Sequence, residues 1–247
     1  FIPAGDPSLD STLPTMHALA MAGADVIELG VPFSDPMADG PVIQRSSERA
    51  LERGAGTGYV FDCVRRFRQR DADTPVVLMG YLNPVEIHGA ARYAAEAVAA
   101  GVDGVLLVDL PPEEAASFQD AFDAAGLALV MLASPTTTDE RAAMLCARAQ
   151  GYLYYVSYAG VTGADHLDAG VAGQRLAQWR AAARVPVVAG FGIKDAASAA
   201  AMAVDADGVV VGSALVAAMA GAESPDKAAA CASTFLAPLR QALDASA

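Results

Sequence analysis

Eight short apolar runs recur along the chain. They are FIPA (1–4), ADVIELGV (24–31), PVVLMGY (75–81), GVLLVDL (104–110), LALVMLAS (127–134), YLYYVSY (152–158), VPVVAGF (185–191) and GVVVGSA (208–214). They are continuously apolar rather than alternating. Parallel strands covered on both faces require that pattern. Helical stretches lie between them, among them 11–23, 41–54, 90–101, 112–126 and 139–151. Several end in glycine, the usual residue just past a helix C-terminus. Eight strand–helix units predict an α/β chain folded as a closed (β/α)8 TIM barrel. An open doubly wound sheet is the competing fold. It would need a dinucleotide-type glycine fingerprint after its first strand, and none follows FIPA.

The 247 residues suit one such barrel, so a single domain over 1–247 is expected. The chain opens at Phe1 on what reads as half a strand, and a missing N-terminal piece is expected. Apolar residues make up 54%, enough for a large core, yet no run approaches the roughly 18 residues of a membrane span. The net charge of −13 disfavours nucleic acid and anionic lipid as partners. Cys63, Cys146 and Cys231 are far apart and odd in number, which reads as reduced thiols in a cytoplasmic protein.

Reactive groups in a (β/α)8 barrel sit at the C-terminal ends of strands and in the loops that follow. The stretch ELGVPFSDPMADGP (28–41) is such a place, with Glu28 near the end of strand 2 and Asp35 and Asp39 in the loop beyond. A carboxylate beside Val26, Ile27 and Leu29 is costly unless paired or protonated. Either Glu28 caps the barrel rim or the chain uses it chemically. Glycine signals follow the late strands: AGVTG (159–163), GFGI (190–193) and VGSALV (211–216). Loops after strands 7 and 8, with a helix N-terminus, form the usual phosphate site of these barrels, and Ser213 offers a hydroxyl. Lysine occurs only at 194 and 227, and His17, His88 and His166 are scattered. Schiff-base chemistry is therefore poorly supplied and no metal is expected. Carboxylate acid–base chemistry on a phosphorylated substrate remains.

These residues carry a resemblance. ELGVPFSDPMADGPVIQ (28–44) closely resembles the signature of the tryptophan synthase α chain family. FIPAGDPS, MGYLNP (79–84), VDLPPEE (108–114), YYVSYAGVTG (154–163), GFGI and VGSALV extend the likeness along nearly the whole chain. The family is a (β/α)8 barrel that cleaves indole-3-glycerol phosphate to indole and glyceraldehyde 3-phosphate. The resemblance implies catalytic roles for Glu28 and Asp39. It implies substrate contacts at Phe1, Tyr81 and Tyr154, and phosphate contacts at Gly163, Gly192, Gly212 and Ser213. Thr162 would meet Asp39 when a lid over 158–173 closes, and Asp35 would take part in communication with the partner. That partner is the β chain, in an α2β2 heterotetramer. It carries pyridoxal phosphate and joins indole to L-serine, so no cofactor is expected in this chain. The resemblance leads to the expectation that the family's N-terminal helix and the start of its first strand are lacking here. Tyr158 stands where many relatives have arginine.

The chemistry agrees with that assignment. Cleavage needs a proton on indole C3, which places positive charge on the ring nitrogen, and a base for the side-chain hydroxyl. Asp39 can accept the ring N–H, and Glu28 can shuttle protons if an apolar pocket raises its pKa. Pro32, Pro36 and Pro41 restrict the loop that holds Asp39. Two other readings stay open: a stand-alone indole-3-glycerol phosphate lyase, and a catalytically quiet regulatory barrel subunit.

Overall fold

The computed structural model describes residues 1–156, 169–190 and 192–245. They fall into two compact units, Phe1–Ala128 with Ser213–Ala237, and Leu129–Gly212 with Pro238–Ala247.

The first unit alternates strands β1 (Ile2–Pro3), β2 (Ile27–Gly30), β3 (Val76–Gly80) and β4 (Gly104–Leu107) with helices. Helix α1 (Thr12–Met21) follows β1, and α2 (Pro41–Glu52) and α3 (Thr57–Phe67) follow β2. Helices α4 (Leu82–His88) and α5 (Ala90–Ala100) follow β3, and α6 (Ala116–Ala125) follows β4. The strands pair in parallel in chain order, with Ile2 opposite Leu29, Glu28 opposite Val77, and Met79 opposite Leu106. The second unit repeats the pattern. It has β5 (Ala128–Ala133), α7 (Asp139–Arg148), β6 (Leu153–Val156), α8 (Ala169–Ala182), β7 (Val187–Gly190), α9 (Ala196–Ala203) and β8 (Gly208–Val210). Helices α10 (Ser213–Met219) and α11 (Pro225–Asp244) complete the chain, and α10 packs on β1 and α2.

Each observed strand lies inside one of the eight apolar runs. The run 208–214 is cut short at Val210, because Ser213 already starts α10. The segment 158–173 expected as a lid loop is helical from Ala169 onward, in line with its alanine content. Residues 157–168, with Tyr158, Thr162 and Gly163, lie outside the described residues. Helices α5 and α6 each end on a glycine in the left-handed region, Gly101 at φ +93° and Gly126 at φ +77°.

One corner recurs in both units. Asp103, just before β4, accepts the Val76 amide of β3 at 2.7 Å and pairs with Arg68 at 2.5 Å. Asp207, just before β8, accepts the Val187 amide of β7 at 2.8 Å and pairs with Arg180, whose Nε lies 3.0 Å away. Each aspartate precedes a glycine that opens the strand. Arg68 also donates to the carbonyls of Gly101 and Thr74, each at 2.8 Å. These corners satisfy strand-end backbone groups at the N-terminal face of the sheet, where a (β/α)8 fold places stability rather than chemistry. A further tie fixes the loop after β1. Asp6 is buried and accepts two bonds from Arg49, at 2.8 and 2.6 Å, and one from Ser46 at 2.8 Å.

Candidate active site

The C-terminal ends of β1 to β3 surround a small pocket. Phe1, Val31, Phe33, Ile43, Met79 and Val108 give it apolar walls, and Asp39 and Tyr81 supply polar groups. Gly30, at the end of β2, is shaped to this pocket. A Cβ there would stand 2.6 Å from Phe1 Cζ, so only glycine lets that ring lie over the strand.

Glu28 is buried at 3% exposure in the middle of β2. Side chains two residues apart on a strand share a face, so Glu28 projects to the same side as the pocket-lining Gly30. The carboxylate therefore lies one layer below the pocket, beside buried Val77, its partner on β3.

Asp39 is held from several sides. The Tyr81 hydroxyl donates to its Oδ2 at 2.9 Å and accepts from the Ala38 amide at 3.1 Å. The Phe33 ring stacks on Tyr81 with centroids 5.2 Å apart. Gln44 reaches back from α2, its Nε2 donating to the Asp39 carbonyl at 2.9 Å and to the Pro36 carbonyl at 3.4 Å. Burial raises the Asp39 pKa above the ordinary carboxylate value, and the Tyr81 bond opposes that rise. Burial and the nearby Asp39 charge raise the Tyr81 phenol, so it remains a neutral donor. A carboxylate fixed at an apolar, aromatic-walled pocket can accept a hydrogen bond from a heterocyclic N–H and stabilise positive charge developing on that ring. Asp35, by contrast, is exposed and takes the Ser34 hydroxyl bond.

In the second unit, Tyr154 and Tyr155 point to opposite faces of β6. Tyr155 meets Trp179 of α8 edge-on at 5.2 Å. Tyr154 is buried, and its hydroxyl occupies the space beside Gly190, where a Cβ would come within 2.0 Å. Gly192 has φ +73°, a conformation that favours glycine. Gly212 directly precedes Ser213, the first and exposed residue of α10.

Among the described residues, no cluster of three or more His, Cys, Asp or Glu side chains is arranged to hold a metal. His17 packs on Phe67 and His88 pairs with Glu96. The three cysteines are free thiols. Among the described residues, no helix is long and apolar enough to cross a membrane. The sequence reading missed the Tyr81–Asp39 bond, the Gln44 brace and the position of Asp109, whose Oδ1 accepts the Leu82 amide at 2.7 Å. Gln44 and Asp109 both lie inside quoted motifs, which was the available signal.

A family model described as tryptophan synthase alpha chain matches residues 1–244. A tryptophan synthase alpha chain from Xanthomonas euvesicatoria is 71% identical over 245 residues, covering 99% of this chain and 91% of the relative. One from Xanthomonas campestris is 70% identical over 246 residues, covering 99% and 90%. Among solved structures, tryptophan synthase subunit alpha from Legionella pneumophila aligns with a TM-score of 0.90 at 45% identity, covering 99% of this chain and 91% of that one. A structure of the tryptophan synthase α2β2 complex from Pyrococcus furiosus aligns at 0.85 and 37% identity, covering 98% and 97%. The fold is that of the (β/α)8 barrel class shared by these relatives.

Proposed function

This chain belongs to the tryptophan synthase alpha chain family, and on that premise we propose that it is the α subunit, a carbon–carbon lyase. It cleaves indole-3-glycerol phosphate to indole and D-glyceraldehyde 3-phosphate, and passes indole to a β subunit for condensation with L-serine.

The observation that carries this reading is Asp39, held by Tyr81 at 2.9 Å beside an apolar pocket, with buried Glu28 on the same side of β2. Glu28 gives a proton to indole C3, which makes the ring nitrogen cationic. Asp39 accepts the ring N–H and stabilises that charge. Glu28 then takes the proton of the hydroxyl on the carbon attached to C3. The C3–carbon bond breaks, its electrons return to the ring, and the released fragment is an aldehyde. Burial disfavours the charged form of a carboxyl group, which supports Glu28 as the proton donor.

Phe1 and Tyr81 contact the indole end, and Tyr154 contacts substrate from β6. Gly163, Gly192, Gly212 and Ser213 bind the phosphate, and the N-terminus of α10 adds its dipole. Thr162 bonds Asp39 in the closed enzyme. The partner is the β chain in an α2β2 assembly, which carries the pyridoxal phosphate. The α chain acts as one domain in the cytoplasm without a cofactor of its own, and it binds neither nucleic acid nor membrane.

The test is incubation with indole-3-glycerol phosphate, with and without a β chain. Indole release that the β chain accelerates is expected. No indole under either condition contradicts the reading.

A further inference from the structure

Tyr81 is aimed at Asp39 from its ring and its tip, but its backbone also needs an anchor. Tyr81 is the residue that caps α4, and it makes no capping bond with its own side chain. The first amide of the helix, Leu82 N–H, would otherwise lack an intrahelical partner. Asp109, beyond the end of β4 and 27 residues along the chain, supplies the missing acceptor at 2.7 Å. It is half-buried, and its negative charge lies at a helix N-terminus, where it is favoured. The bond pins the backbone joint beside Tyr81. A rotation there would swing the phenol, at the far end of a long rigid side chain, out of reach of Asp39.

We infer that Asp109 is a positioning residue for the lyase reaction, holding Tyr81 against Asp39 by accepting the Leu82 amide across the end of the sheet. The inference rests on the proposed lyase function. Its geometric content, that Asp109 sets the Tyr81–Asp39 bond, stands without substrate. The same side chain favours a neutral phenol, since its charge adds to that of Asp39 in raising the Tyr81 pKa.

Three variants separate acceptor, charge and reach. Asp109→Asn keeps an oxygen for the Leu82 amide and removes the charge. Asp109→Ala removes the acceptor. Asp109→Glu keeps the charge but carries the oxygens one methylene further, and it reports the same geometry if the alanine variant does not fold. The expected result is a kcat about 10-fold lower for Ala, the scale of one lost hydrogen bond to a charged acceptor, with KM within about 2-fold. Glu should lower kcat several-fold, and Asn should stay near wild type. The acid limb of the pH–rate profile should move upward in Ala and not in Asn, because Asp39 loses the Tyr81 bond only in Ala.

A second arm needs no substrate. In protein labelled at tyrosine Cζ, the Tyr81 resonance should follow the ionisation of Asp39 in wild type and Asn, and cease to follow it in Ala. Wild-type indole release of zero would defeat the lyase function, while the resonance would still test the positioning. An alanine variant with wild-type kcat and a resonance that still tracks Asp39 overturns the inference. So does an asparagine variant as impaired as alanine.

Discussion

The Tyr81 hydroxyl lies 2.9 Å from Asp39 Oδ2, a bond between residues 42 positions apart. The parallel pairing of β2 with β3 makes it possible, since it sets the ends of the two strands side by side and lets the loop after β2 fold over the residue that follows β3. The bond has two effects. It orients one carboxylate oxygen, and it favours the charged form of a group that burial pushes the other way.

Replacing Tyr81 with phenylalanine should therefore change the pH dependence as well as the rate. A hydrogen bond donated to a carboxylate stabilises its charged form and lowers its pKa. Its loss lets burial act alone, so the Asp39 pKa rises further. Under the proposed mechanism, Asp39 is the ionised group that stabilises the ring cation. The acid limb of kcat should therefore move to higher pH in Tyr81→Phe, with kcat lower by about 10-fold at its plateau. A pH–rate profile checks this, and an unmoved limb would mean that Asp39 is not the titrating group.

Gly190 gives a packing prediction. An alanine Cβ there would stand 2.0 Å from the Tyr154 hydroxyl and 2.5 Å from its Cζ, so the whole ring must move. Overpacking of this kind costs about 1–3 kcal/mol. Gly190→Ala should fold with a reduced melting temperature and bind substrate at least about 10-fold more weakly, as read from KM. Unchanged KM would remove Tyr154 from the substrate contacts.

The phosphate assignment predicts that Gly212→Asp weakens binding of a phosphorylated ligand severely while circular dichroism changes little. The new carboxylate would repel the phosphate at the α10 N-terminus, where the helix dipole otherwise attracts it. Titration with glyceraldehyde 3-phosphate reads this out, and an unaltered affinity would place the phosphate elsewhere.

Arg68 predicts a stability effect without a catalytic one. It is largely buried and joins Asp103 to the carbonyls of Gly101 and Thr74. Arg68→Ala would leave those groups short of a partner and should cost roughly 2 kcal/mol in chemical denaturation. Indole release per folded molecule should be unchanged, because the corner lies at the opposite end of the strands from the pocket.

The strands were legible because buried parallel strands demand continuous apolar runs, and each run contains its strand. Helix α3 was overlooked although Val60, Phe61, Val64 and Phe67 recur at helical spacing and are all buried. Its position directly after α2, with only Arg53 to Gly56 between, broke the expected alternation of one helix per strand. Glu28 was legible as a carboxylate out of place in an apolar strand. The partners of Asp39 were not, because Tyr81 and Gln44 acquire their roles from strand pairing and from the return of α2. Asp109 was hidden for the same reason: nothing local to VDLPPEE indicates that its carboxylate serves the helix after the neighbouring strand β3.

The central claim is that Glu28 moves the protons of the cleavage. Glu28→Gln keeps the shape of this buried side chain and removes its ability to give and take a proton. The decisive measurement is the rate of indole release from indole-3-glycerol phosphate by this variant, made on protein shown to be folded and to bind a phosphorylated ligand normally. The account predicts a loss of about 10²–10⁴-fold relative to wild type. Indole release near the wild-type rate would contradict it.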